Sequence, residues 1–206
     1  MHYSQAISGS TAARYGSPRD PKETSDEVLV GLIAKGDKGA MQVLYARHKV
    51  RVFRFLMRFV GREATAEDLV SEVFIEAWRH ADRFEARSQV LTWLLAIARH
   101  KALSALRRRS AHEVDDERLE FIEDPCDDPE PPMQKTERNA LIADCLKQLP
   151  PAHREIIDLV YYHERTIDDV AEIIGVPQNT VKTRMFYARE RMAELLAACG
   201  LDRAWV

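Results

Sequence analysis

Residues 166–192, TIDDVAEIIGVPQNTVKTRMFYARERM, decide the fold. Thr166 supplies a hydroxyl that can cap a short helix. Ile167, Val170, Ala171 and Ile174 fall at i, i+3, i+4 and i+7, so they share one face of that helix. Gly175 follows as the turn residue, where a positive φ costs Gly little. Val176 plugs the corner, and Pro177 presets φ for the start of the next helix. Val181, Met185, Ala188 and Met192 then recur at steps of four, three and four. Two apolar-faced helices joined by a compact Gly turn make a helix-turn-helix. The second helix turns Gln178, Asn179, Lys182, Thr183, Arg184 and Tyr187 outward, with Arg189 and Arg191 further along. Such side chains bond base edges and phosphates. From Gln178 to Arg191, four bases against Glu190 leave +3. An ordinary helical hairpin with a solvated basic face has the same periodicity. The tight turn, the buried spacing on both sides and the polar-basic second helix together favour DNA.

Upstream, the chain is helical throughout. Met41, Leu44, Tyr45, His48, Val52, Phe55, Leu56 and Phe59 keep helical spacing over residues 40–60, and Gly61 marks the end. Leu69, Val70, Val73, Phe74 and Ala77 repeat the pattern over 64–80. Ser25-Asp26-Glu27 is a plausible cap before Val28, Leu29, Leu32 and Ile33. The run from Val90 to Arg109 is apolar nearly all round in its first half, which predicts a buried central helix. A second helical unit begins near Thr136, and Leu149-Pro150-Pro151 breaks it. No strand-like alternation and no internal repeat is present, so the fold class is all-α.

Charge divides the chain. The whole of its 206 residues carries a net of −3, which by itself argues against a nucleic-acid binder. Residues 111–130, however, hold ten acids against Arg118, a net of −9, which leaves the remainder at +6. With Pro125, Pro129, Pro131 and Pro132 nearby, residues 111–135 read as an acidic linker that cannot bury a core. Its charge would repel free DNA and cover basic faces elsewhere in the chain. Residues 1–24 are rich in Ser, Ala, Gly and Pro and read as a disordered tail. They hold no apolar core of a secretory signal, and the stretch Val90 to Ala98 is too short to span a bilayer. Cys126, Cys145 and Cys199 are odd in number and have no zinc-ligand or CxxC spacing, which fits a reducing cytoplasm.

Two further constellations carry chemistry. From Ala86 to Ala111 there is no acid, but there are Arg87, Arg99, Lys101, Arg107, Arg108 and Arg109, with Trp93, Trp78 and Phe84 close by. A basic face beside aromatics suits the backbone and unstacked bases of single-stranded DNA. Trp93 itself reads as core. Cations at a helix C-terminus also favour its dipole, but for Arg107, Arg108 and Arg109 phosphate contact is the favoured reading. The second is the helix AEDLVSEVFIEAW. Asp68, Glu72 and Glu76 step by four along one stripe, with Ile75 and Arg79 alongside. An apolar side chain within an acidic stripe fits a protein contact, and on these residues alone a solvated acidic face accounts for it as well.

These segments, in this order, resemble an extracytoplasmic-function sigma factor, the minimal class with only the second and fourth sigma domains. LYARHKVRVFRFLMRFVG resembles the opening helix of the second domain, and AEDLVSEVFIEAW the helix that docks on the β′ clamp helices of RNA polymerase. TWLLAIARHKALSALRRR resembles the promoter-melting and −10-reading segment. LPPAHREIIDLVYYHERTIDDVAEIIGVPQNTVKTRMFYARERM resembles the fourth domain. The resemblance implies two small helical domains, at residues 25–110 and 136–206, joined by the linker.

It also implies roles. Glu67, Asp68, Ser71, Glu72, Ile75 and Trp78 fall on the core-binding helix. Phe84, Arg87, Ser88 and Gln89 fall on the loop that pockets a flipped −10 base, although this loop, FEARSQ, departs from the commoner family versions. Arg99, Lys101, Arg107, Arg108 and Arg109 fall on the helix that holds the −10 backbone. Gln178, Asn179, Thr180, Lys182, Thr183, Arg184, Tyr187 and Arg189 fall on the −35 reader. The implied partners are core polymerase, through its β′ clamp helices and β flap, promoter DNA and an anti-sigma factor, with no membrane insertion.

Two other function classes account for less of the chain. A stand-alone helix-turn-helix regulator explains the C-terminal unit but leaves AEDLVSEVFIEAW and the basic-aromatic helix without a role. For an enzyme there is no Gly-rich phosphate loop, no HExxH and no Ser or Cys nucleophile motif. The seven histidines form no ligand-spaced pair. Asp168 and Asp169 are adjacent and do not share a helix face, so a charge role at a helix N-terminus is the simpler account. No cofactor and no catalytic residue is expected.

Overall fold

A computed structural model describes residues 24–112 and 133–200. The tail expected at 1–24 and the linker expected at 111–135 therefore lie almost wholly outside the described residues, as does Cys126. Among the described residues there are eight α-helices and no strand. The first four are α1 (Asp26–Ile33), α2 (Lys38–Val60), α3 (Glu63–His80) and α4 (Val90–His112), with a 3₁₀ turn at Ala81–Arg83. The second group is α5 (Met133–Lys147), α6 (Pro151–Ile157), α7 (Ile167–Ile174) and α8 (Gln178–Ala198), with a π-helical segment at Asp158–Tyr162. Both α4 and α5 reach a few residues into the span read as linker.

The helix starts follow side-chain chemistry. Ser25 accepts a hydrogen bond from the Val28 amide, and Asp37 accepts one from the Ala40 amide, which starts α2 at Lys38, two residues ahead of its apolar pattern. Gly61 ends α2 at φ 66° and Gly175 ends α7 at φ 74°, both left-handed. Thr166 and Asp169 form a full capping box at the start of α7.

The first domain packs α1, α2 and α3 around α4. Leu94, Leu95, Leu44, Val52, Phe55 and Leu56 are fully buried there. Burying one such side chain stabilises by about 1.5–3 kcal/mol, so the apolar half of α4 supplies much of the core's adhesion. The second domain packs α6 and α7 on α8 around Ile156, Leu159, Val170, Val181 and Ala188, all with no exposed surface. Among the described residues no helix is long and apolar enough to cross a membrane.

The two domains also meet, with α7 lying against α4. Phe55 packs edge-on to the His163 ring at 5.5 Å, and the Arg58 guanidinium lies 4.0 Å above the Tyr162 ring. No periodicity in the sequence announces this contact.

Candidate nucleic-acid interface

The outer face of α8 is built as the spacing predicts. Val181, Met185, Ala188 and Met192 are buried against the domain, which turns the rest of the helix to solvent. Gln178, Asn179, Lys182, Thr183, Tyr187 and Arg189 are exposed, and Thr180 is half-buried. The Thr183 hydroxyl donates to the Asn179 carbonyl at 2.9 Å. Arg189 lies 5.7 Å from the Tyr161 ring, and Arg191 pairs with Glu194 at 2.7 Å. Arg184 differs from its neighbours: it is half-buried and lines the crevice between the domains with Arg58, Arg99 and Arg154. Sequence reasoning missed Phe186, which is 63% exposed and stacks edge-on to Tyr187 at 5.5 Å. Its signal was available, since it stands four residues past Lys182 and three before Arg189.

The acidic face of α3 is largely open to solvent. Glu67, Asp68 and Ser71 are exposed, and Ile75 leaves 51% of its surface in solvent. Glu72 and Glu76 are partly buried, because Lys101 of α4 bridges both, at 3.6 and 3.3 Å. The hydrogen bond from Lys101 holds the Glu76 carboxyl below the usual carboxylate range, with His80 adding to the effect against a smaller opposing push from burial. Trp78 is half-buried against the core.

The residues expected at the −10 element are spread along the 84–89 loop and α4. Phe84 and Trp93 stack at 5.1 Å, and both are partly buried against the core. Arg87 is exposed and pairs with Glu85 at 2.6 Å. Ala86 between them has φ 52°, a left-handed conformation that costs a non-glycine residue about 1–2 kcal/mol. Arg107 and Arg108 are exposed and line an open cleft with His100, Lys101 and Ser104. Arg109 is half-buried. Arg99 and Ser88 are half-buried and Gln89 is exposed, but each of the three has a partner in the second domain. Glu155 of α6 takes the Arg99 guanidinium, Glu172 of α7 accepts from Ser88 at 2.7 Å, and Arg165 donates to Gln89 at 2.8 Å.

Comparison with known proteins bears on this arrangement. Residues 44–112 match the family model for Sigma-70 region 2, and residues 145–194 match that for Sigma-70 region 4. The ECF RNA polymerase sigma factor SigL of Mycobacterium tuberculosis is 32% identical over 178 residues, covering 82% of this chain and 96% of the relative. The chain belongs to the ECF sigma factors of RNA polymerase.

The ECF sigma-E factor of Haemophilus influenzae is similar too, 33% identical over 179 residues, covering 82% of this chain and 94% of that one. Among solved structures, the sigma factor RpoE of Bartonella quintana, seen with the anti-sigma factor NepR, is 27% identical with a TM-score of 0.56, covering 72% of this chain and 91% of that one. The fold is also that of CnrH, seen with the cytosolic domain of CnrY, at 24% identity and a TM-score of 0.63, covering 85% of this chain and 99% of that one. As an ECF sigma factor the protein binds core polymerase and directs promoter-specific transcription initiation. The reading as a stand-alone regulator is set aside, because both sigma regions are present in order.

Other groupings in this sigma factor were invisible in sequence. Cys145 and Cys199, far apart in the chain, bring their sulfurs to 3.9 Å. Burial, with the Cys199 thiol and the charge of Asp144, pushes the Cys145 thiol up to about 11. Asp169, read as a charge at a helix start, also accepts from Thr92 of α4 at 2.8 Å. Burial pushes its carboxyl up, but hydrogen bonds from Thr166 and Thr92, with the Arg165 charge, outweigh it and leave the group below the usual range.

Proposed function

We propose that this sigma factor divides its work between residues 25–110 and 136–206, with 111–135 as the linker. In the first domain, Glu67, Asp68, Ser71, Glu72, Ile75 and Trp78 form the surface for the β′ clamp helices. Phe84, Arg87, Ser88, Gln89, Arg99, Lys101, Arg107, Arg108 and Arg109 hold the opened −10 strand. In the second, Gln178, Asn179, Thr180, Lys182, Thr183, Arg184, Tyr187 and Arg189 of α8 read the −35 major groove. The second domain also meets the β flap. The work is binding and not catalysis, and its place is the cytoplasm, where polymerase is. The likeness to RpoE, which is seen with an anti-sigma factor, supports control by an anti-sigma protein here.

The observation that carries this reading is the exposure of Ile75 among Glu67, Asp68 and Ser71 on α3. Leaving a large aliphatic group in water is ordinary when single, but here it sits in an acidic stripe with a half-buried tryptophan one turn away. The test is transcription in vitro with sigma-free core on a library of genomic promoter fragments. Specific transcripts are expected, and they should fall about a hundredfold or more on Asp68→Lys, since reversing a charge in a desolvated contact costs several kcal/mol. Full transcription by that variant overturns the docking surface. Tight duplex binding without any transcript overturns the division of labour.

A further inference from the structure

Part of the surface assigned to −10 DNA, the end formed by Ser88, Thr92 and Arg99, meets carboxylates of the second domain, while Arg87, Arg107 and Arg108 stay exposed. Arg99 holds Glu155 of α6, Ser88 donates to Glu172 of α7 at 2.7 Å, and Thr92 donates to Asp169 of α7 at 2.8 Å. Gln89 is taken by Arg165, which also reaches the Thr92 hydroxyl at 3.5 Å. Beneath them Arg58 of α2 pairs with Asp158, and the two side chains are only 6% and 7% exposed. The donors on one side are a guanidinium and two hydroxyls. The acceptors on the other are all anionic oxygens, the chemistry that a phosphate backbone offers to the same groups.

We propose that the free sigma factor closes on itself, with Glu155, Asp169 and Glu172 standing in for strand phosphates and the Arg58–Asp158 pair as the latch. This rests on the assignment of Ser88, Gln89 and Arg99 to opened −10 DNA. A strand and the second domain then compete for Ser88, Gln89 and Arg99, and the free protein engages a strand with its full set of contacts only through its open fraction. The exposed α3 face and the outer face of α8 lie outside the contact, so core can dock on the closed form. Opening is not prohibitively costly, because buried ion pairs regain hydration when separated. Removing one partner of the latch is different, because the other charge stays buried and the closed form loses its advantage.

The experiment uses the full chain at fixed salt. It reads the radius of gyration by small-angle X-ray scattering and the affinity for a fluorescein-labelled single strand of mixed sequence by anisotropy. Asp158→Arg should expand the protein and tighten strand binding by about tenfold, as expected if the open form rises from a tenth to nearly all of the population. The swap Arg58→Asp with Asp158→Arg should restore both compactness and weak binding. Glu155→Gln with Glu172→Gln keeps shape while removing charge, and it should tighten binding more than Glu27→Gln with Glu63→Gln, a control of equal charge change away from the contact. That comparison stands even if Asp158→Arg fails to fold.

A wild-type protein already expanded, or a Gln pair no better than its control, overturns the proposal. Expansion without tighter binding overturns it as well, and Arg99→Ala assayed for promoter opening with core then locates the error. Loss of opening there means that the −10 assignment stands and the masking is wrong. Retained opening means that the −10 assignment itself has failed.

Discussion

The two basic surfaces of this sigma factor have similar composition and opposite circumstances. On α8, Lys182, Tyr187 and Arg189 stand in solvent, and the helix presents them without help from the other domain. On α4 and its preceding loop, Arg99, Ser88 and Thr92 each meet a carboxylate. A cation count from sequence treats the two as equals. What distinguishes them is the identity of the neighbour that completes each group's hydrogen bonds, and this is a property of docking between helices, not of either helix.

The comparison can be broken most sharply through the core. Leu94 has no exposed surface and lies on α4, the helix that packs on α2 and α3. Leu94→Ala should cost about 3 kcal/mol, read as a lowered midpoint in urea. If the two domains support each other through their contact, α8 becomes easier to unfold as well, and hydrogen exchange on α8 reports it. Exchange on α8 unchanged by this substitution would show that the domains are energetically independent.

A smaller effect separates the two surfaces directly. Lys182→Ala should weaken duplex binding by the free protein by about three- to tenfold and reduce the slope of affinity against salt by about one. Arg99→Ala should leave single-strand binding by the free protein within about twofold, because the lost strand contact is offset by the lost Glu155 contact that favours the closed form. Equal losses in the two variants would erase the distinction between an open and a covered face.

Smaller again is the turn between α7 and α8. Gly175 sits at φ 74°, and a Cβ there meets nothing within 4 Å, so the cost of Gly175→Ala is conformational alone. About 1 kcal/mol is expected, measured as a drop in melting temperature. The smallest effect concerns Asp169, whose carboxyl is held below the usual range. A group with a lowered folded value stabilises above its ordinary value and loses that contribution as pH falls through the lowered one. The stability gap between wild type and Asp169→Asn should therefore be constant from neutral pH to about pH 4 and close below it. A gap that persists at lower pH would remove the carboxylate from the contact.

Much of the fold was legible in the chain. Thr166, Gly175 and Pro177 punctuate α7 and α8 by local chemistry, and the buried spacing of Val181, Met185, Ala188 and Met192 fixes which side of α8 faces water. Even the missed Phe186 lies on that legible side. Lys101 was legible as a cation and illegible as the bridge to Glu72 and Glu76, since nothing in its own helix reports the phase of α3 against α4.

By itself, then, the sequence determined the helices, their caps, their buried faces and the order of the two sigma regions, because each depends on residues within a few turns of one another. Tertiary structure alone decided that Arg58 meets Asp158 one hundred positions away, that Cys145 meets Cys199, and that Ser88, Thr92 and Arg99 meet carboxylates while most of the outer face of α8 stays open. Those outcomes depend on the rigid-body placement of one domain on another. Periodicity along a helix fixes which residues share a face, but it carries no information about which distant face will lie against it.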